Sequence, residues 1–237
     1  RFIIATAVSA SAVAFYATPH EIVTKLWIVP GALTAVLFPA FAAKTSRGDA
    51  DTWPLLARSV RWLFVVMLPI ALTLALFSHE LLAAWISPAF AQPSAPVLQW
   101  LSLGILINCM AHVPLSLLQG AGAARSPALL QLAQAVPYIA LMAVLTMHLG
   151  IVAAAALWAA RMAFDTAAMF WLCARRFGQR GALRPDRATL AAVSISVAAF
   201  AVAFLDATAF WRLGAALSCT AAVALLLRPW AITGSDH

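Results

Sequence analysis

Arg161 and Asp165 are the most chemically capable residues for their surroundings. They lie four positions apart inside an apolar run from Ile151 to Ala174. On a helix that spacing puts both on one face, a turn apart. An ionisable group at membrane depth costs about 2.5–3.5 kcal/mol on insertion scales unless it is paired or faces water. Two readings follow. The pair serves a protein that binds or moves something polar within a bilayer, or it is a structural ion pair that locks helices together, with Asp165 largely neutralising Arg161.

Other polar residues fall at helical spacing. Glu21 and Lys25 stand at i and i+4, in the favourable orientation for an ion pair. Lys25 either projects into a cavity or snorkels toward the interface. Asn108 and His112 repeat the spacing within a second apolar run. His112 has the chemistry to titrate, to donate to a phosphate or to hydrogen-bond across helices. Gln134 and Tyr138 share a face beside Pro137. Together these groups suggest a hydrated cavity with more basic than acidic lining, suited to an anionic head group.

Two apparent motifs fail. His79-Glu80 begins like a zinc-protease signature, but Ala83 stands where the second histidine belongs. Gly120-Ala121-Gly122-Ala123-Ala124-Arg125 lacks the third glycine and the preceding strand of a dinucleotide loop. It reads as a helix stop and a turn. Cys109, Cys173 and Cys219 occupy separate apolar segments without metal or disulfide spacing.

The elements that carry these residues are membrane helices. The 237 residues are 64% hydrophobic and only 10% charged, with mean hydropathy +0.94. That composition excludes a soluble domain of this size and predicts an all-α polytopic bundle. The apolar runs are too long for membrane β-strands. About eight transmembrane segments are expected: 2–15, 20–43, 57–86, 96–119, 127–149, 150–174, 189–205 and 209–227. The third is over-long, which suggests that its start runs along the interface. Pro30 (followed by Gly31), Pro69, Pro114 and Pro137 fall inside spans and are expected kinks or hinges. Proline breaks expose backbone groups to central cavities in transporters.

The net charge of +7 does not point to nucleic acid, because Lys and Arg concentrate in alternate loops. Lys44, Arg47, Arg58 and Arg61 flank one. Arg125 lies in another. Arg175, Arg176, Arg180, Arg184 and Arg187 fill a third, and Arg228 follows the last span. The positive-inside rule places these loops and the C-terminus in the cytoplasm. The chain opens at Arg1 without Met or a signal peptide, and is read as the C-terminal part of a longer protein.

Three stretches resemble the Wzx-type polysaccharide flippase family of the multidrug/oligosaccharidyl-lipid/polysaccharide exporter superfamily. The first runs from Tyr16 through Pro19, Lys25 and Pro30-Gly31 to Leu37-Phe38-Pro39. The second runs from Leu118-Gln119-Gly120 to Pro127. The third runs from Gly150 through Ala153, Trp158 and Arg161 to Asp165. The resemblance covers residues 1–177 and implies the second six-helix lobe. Residues 178–188 would form a basic cytoplasmic loop, 189–228 an additional hairpin and 229–237 a cytoplasmic tail.

What the resemblance implies is transport without a bound cofactor. An undecaprenyl-diphosphate-linked oligosaccharide would cross the membrane by alternating access between this lobe and a missing N-terminal one. A proton or sodium gradient would drive it. Lys25 matches a basic cavity position and is the expected diphosphate contact, with Arg161 and Asp165 in support. Gln134 stands where many relatives are expected to carry an acid. The alternatives are a cation-coupled drug or metabolite exporter of the same superfamily, or a membrane-embedded glycan polymerase or acyltransferase. Short, nearly uncharged outer loops count against an enzyme.

Overall fold

A computed structural model describes residues 10–47, 52–177, 187–205 and 209–227. Most of the expected basic loop, the turn at Asp206 and the C-terminal tail lie outside the described residues. The elements are α1 (Ala10–Lys25), α2 (Ile28–Ser46), α3 (Trp53–Leu76), α4 (Ser78–Trp85), α5 (Pro88–Gly120), α6 (Arg125–Arg176), α7 (Arg187–Ala203) and α8 (Ala209–Leu227). No strand occurs among the described residues. Five of the helical runs, with α1 and α2 taken as one, are long and apolar enough to cross a membrane. The chain is a multi-pass all-α membrane protein.

The helix α5 is the hub. It packs against α1, α2, α3, α4 and α6. Its buried side chains, from Ala91 to Leu118, go all round the helix, as expected of a central element. Exposed apolar residues such as Val66, Val136 and Leu132 cover the periphery, the pattern of a lipid-facing surface. The α7–α8 hairpin packs on α3. The Gln99 amide ties it to α5 by donating to the Ala203 carbonyl at 2.8 Å. Arg212 donates to the Leu76 carbonyl at 3.2 Å and to Glu80 at 3.1 Å. Its charge, on the side expected to lack basic residues, therefore meets a carboxylate and the open end of α3.

The long helix α6 is two helices. Gly150 has φ +76° and ψ −168° inside it, a conformation essentially confined to glycine. Residues 125–149 (α6a) and 151–176 (α6b) fold back on each other. Gln134 touches Asp165 and Arg161 touches Tyr138. Residues 31 apart on a straight helix would be separated by about 46 Å, so these contacts require a reversal. The turn expected at residues 148–150 is thus present, compressed to one residue.

Three sequence-based boundaries are corrected. The turn expected between residues 15 and 20 is absent, and α1 runs through Pro19. Tyr16 and Pro19 are both buried, and this packing offsets the one hydrogen bond that proline removes. The break comes instead at Leu26-Trp27, where the amides of both residues bond back three positions, to Val23 and Thr24. Pro30 lies in the first turn of α2, where its missing N–H costs nothing. The over-long third segment breaks near its end, at Phe77, not along an interfacial start. The fourth begins at Pro88 rather than Pro96, because Ser87 caps it by accepting from the Phe90 amide at 3.2 Å. The helices α3, α5 and α6 continue through Pro69, Pro114 and Pro137.

The contact of α5 with α6b leaves no spare room. A Cβ on Gly104 would come within 2.5 Å of the Trp158 ring and 3.0 Å of the Ala159 Cα. Gly104→Ala is expected to destabilise the protein by about 1–3 kcal/mol, the usual range for overpacking. Thermal unfolding in detergent measures it, and an unchanged midpoint would mean that the helices separate freely at this point.

Candidate functional site

The α6 hairpin assembles the polar cluster. Along α6b, Trp158, Met162, Thr166, Met169 and Cys173 are buried and recur at helical spacing. Two of them fasten the helix to α5. The Thr166 hydroxyl donates to Met162 at 2.8 Å and to the Ile107 carbonyl at 3.0 Å. The Cys173 thiol donates to the Pro114 carbonyl at 3.2 Å. Arg161 and Asp165 lie on the shoulder of this stripe, opposite Tyr138 and Gln134 of α6a. At 1.5 Å per residue, Arg161 is about 16 Å from the Gly150 turn and Asp165 about 22 Å. Both depths fall well inside a bilayer core of about 30 Å.

The two charges are not partners. The Arg161 guanidinium sits over the Tyr138 ring, 4.4 Å from its centroid. Asp165 accepts from the Gln134 amide at 3.3 Å. Among the described residues no ion pair joins Arg161 to Asp165, in contrast to Arg212 and Glu80, which pair at 3.1 Å. Of the two readings of this pair, the structural ion pair between Arg161 and Asp165 is therefore the one not formed. The i, i+4 spacing gave a shared face, but each side chain takes its partner across the hairpin. The Arg161 Nε is buried without a hydrogen-bond partner. A half-buried cation held over an aromatic face keeps this Nε–H donor for an acceptor. Asp165 also lies within electrostatic range of His112 on α5. Arg161, Asp165, Gln134, Tyr138 and His112 thus form one neighbourhood.

Asn108 does something else. Its side-chain oxygen accepts from the Trp27 indole at 3.0 Å, and Asn108 is buried. That bond anchors the Leu26-Trp27 break to α5. His112, one turn further on, lines a cavity of about 330 Å³ between α2 and α5, with Gly31 on the opposite wall. Glu21 and Lys25 are exposed. Lys25 closes the last turn of α1, where a cation is favoured by the helix dipole. It makes no hydrogen bond or ion pair among the described residues. Above it on α1, His20 packs between Tyr16 and Trp158, at ring distances of 5.9 and 5.8 Å.

Sequence reasoning missed Trp27 and Ser116. Ser116 follows His112 by four residues, so one more turn of the same face-sharing rule leads to it. Trp27 carried no comparable signal, because its partner is 81 residues away. Among the described residues no group of three or more His, Cys, Asp or Glu is placed to hold a metal ion.

No family profile matches the chain. Over 175 residues, or 74% of its length, it is 30% identical to a Shigella flexneri protein named "Putative O-antigen transporter". The chain spans 41% of that relative's length.

Proposed function

We propose that this chain is a lobe of a Wzx-type O-antigen flippase of the bacterial inner membrane. It carries an undecaprenyl-diphosphate-linked oligosaccharide outward by alternating access against an N-terminal lobe, with its C-terminus in the cytoplasm. The observation that carries this reading is the cluster of Arg161 over Tyr138 and Asp165 on Gln134, deep in an apolar hairpin. A half-buried cation with an unused Nε–H donor suits the diphosphate of a lipid carrier. Its lodging in a sequence similar to an O-antigen transporter favours a glycan carrier over a drug. Lys25, exposed at the helix break, is assigned first contact with the diphosphate. Asp165 and His112 are the groups available to couple a proton gradient.

The full-length protein is expected to restore surface O-antigen to a bacterial strain that lacks its own O-antigen flippase. Silver-stained lipopolysaccharide gels read the result. Failure to restore the ladder, combined with reduced accumulation of a cationic dye, would replace this reading with that of a drug exporter.

A further inference from the structure

Resting on that flippase reading, we propose that the cavity between α2 and α5 is a subsite for an uncharged sugar ring of the carried glycan. It is an open groove of about 330 Å³, with Gly31, Ala35, Phe38 and Gln119 exposed along it. Thr34 of α2 faces His112, Ser116 and Gln119 of α5 across it, and Phe38 supplies an aromatic wall. No Lys, Arg, Asp or Glu lines it. Gly31 leaves its side open, since a Cβ there would meet nothing within 4 Å.

The lining chemistry selects the ligand. Ser116 is only 3% exposed, and its hydroxyl is buried with no hydrogen-bond partner. Such groups are costly and few in folded proteins. The Thr34 hydroxyl spends its proton on the Gly31 carbonyl at 3.1 Å, which leaves it as an acceptor. A neutral imidazole offers one donor and one acceptor, and a glutamine amide offers both. Sugar hydroxyls donate and accept in turn, and the C–H face of a pyranose ring packs against an aromatic wall. A diphosphate here would meet no Lys or Arg, and a neutral His112 would offer it a single donor. An acyl or isoprenoid chain would leave the polar side chains of His112, Ser116 and Gln119 without partners. The anionic linkage therefore belongs with Arg161, and the cavity takes a ring further along the glycan.

The test uses the full-length protein in membrane vesicles, with every native cysteine, Cys109, Cys173 and Cys219 included, replaced by alanine and a single reporter, Gln119→Cys. This background must first restore surface O-antigen, which examines the flippase reading separately. N-ethylmaleimide labelling of the reporter is then timed with two probes. One is the host's undecaprenyl-diphosphate-linked repeat unit, and the other is undecaprenyl diphosphate alone. Several-fold slower labelling with the first and no change with the second is the expected result. Equal slowing by both would give the cavity to the lipid head group and overturn the proposal. No slowing by either, in a protein that still exports, would also overturn it. Thr34→Cys on the opposite wall is the second reporter, should Gln119→Cys fail to export.

Discussion

Arg161→Ala is expected to lower surface O-antigen at least ten-fold while the protein stays in the membrane at normal abundance. Arg161 holds an unused Nε–H and a charge that no carboxylate neutralises among the described residues. A hydrogen bond to a charged group is worth about 1.5–3 kcal/mol, which is roughly ten- to hundred-fold in binding. Arg161→Lys keeps the charge but loses the planar fork, and is expected to fall between wild type and alanine. Tyr138 refines the prediction. Tyr138→Phe keeps the ring beneath the guanidinium and should export normally. Tyr138→Leu removes it, together with about 0.5–2 kcal/mol of cation–π stabilisation. Lipopolysaccharide gels, with immunoblots for protein amount, decide the series. A normal ladder from Arg161→Ala at normal abundance would remove Arg161 from the transport site.

Gly150→Ala is expected to damage the same site from a distance. The surroundings of Gly150 are open, with nothing within 4 Å of an added Cβ. The penalty is therefore purely conformational: φ +76° with ψ −168° costs a non-glycine residue about 1–3 kcal/mol. Gly104 is the opposite case, with ordinary helical backbone and no room. For Gly150→Ala, thermal unfolding in detergent should come roughly 2–10 °C earlier. Cysteines placed at 134 and 165 should lose cross-linking by a short bifunctional maleimide, because the turn sets their register. Unchanged melting together with unchanged cross-linking would show that another residue makes the reversal.

Much of this fold can be read from the chain. Long Ala/Leu runs announce the spans, and Gly150 after His148-Leu149 marks the tightest turn. The α7–α8 hairpin lies where its apolar runs put it. The boundaries that failed share a cause. Prolines at 19, 93 and 96 look like stops, yet helices run through all three, because packing against neighbours outweighs one lost hydrogen bond. Phe77 ends a helix with no Gly or Pro signal nearby. Spacing put Arg161 with Asp165, and Gln134 with Tyr138, on shared faces, whereas the contacts run between the faces, Arg161 to Tyr138 and Asp165 to Gln134. Periodicity reports which face a residue occupies; what it touches depends on the hairpin register. Asn108 looked like a cavity residue and is bound to Trp27. Nothing local could show that.

The hub helix α5 has 33 residues, about 50 Å at 1.5 Å per residue, against a hydrocarbon core of about 30 Å. A helix of that length must lean steeply, overhang the bilayer or thicken it locally. The Ser87 cap and Pro88 start fix its far end, so the excess cannot fray away cheaply. Lipid tail length thereby becomes a mechanical input to this molecule: thinner membranes would tilt α5, and every helix packed on it would lean as well.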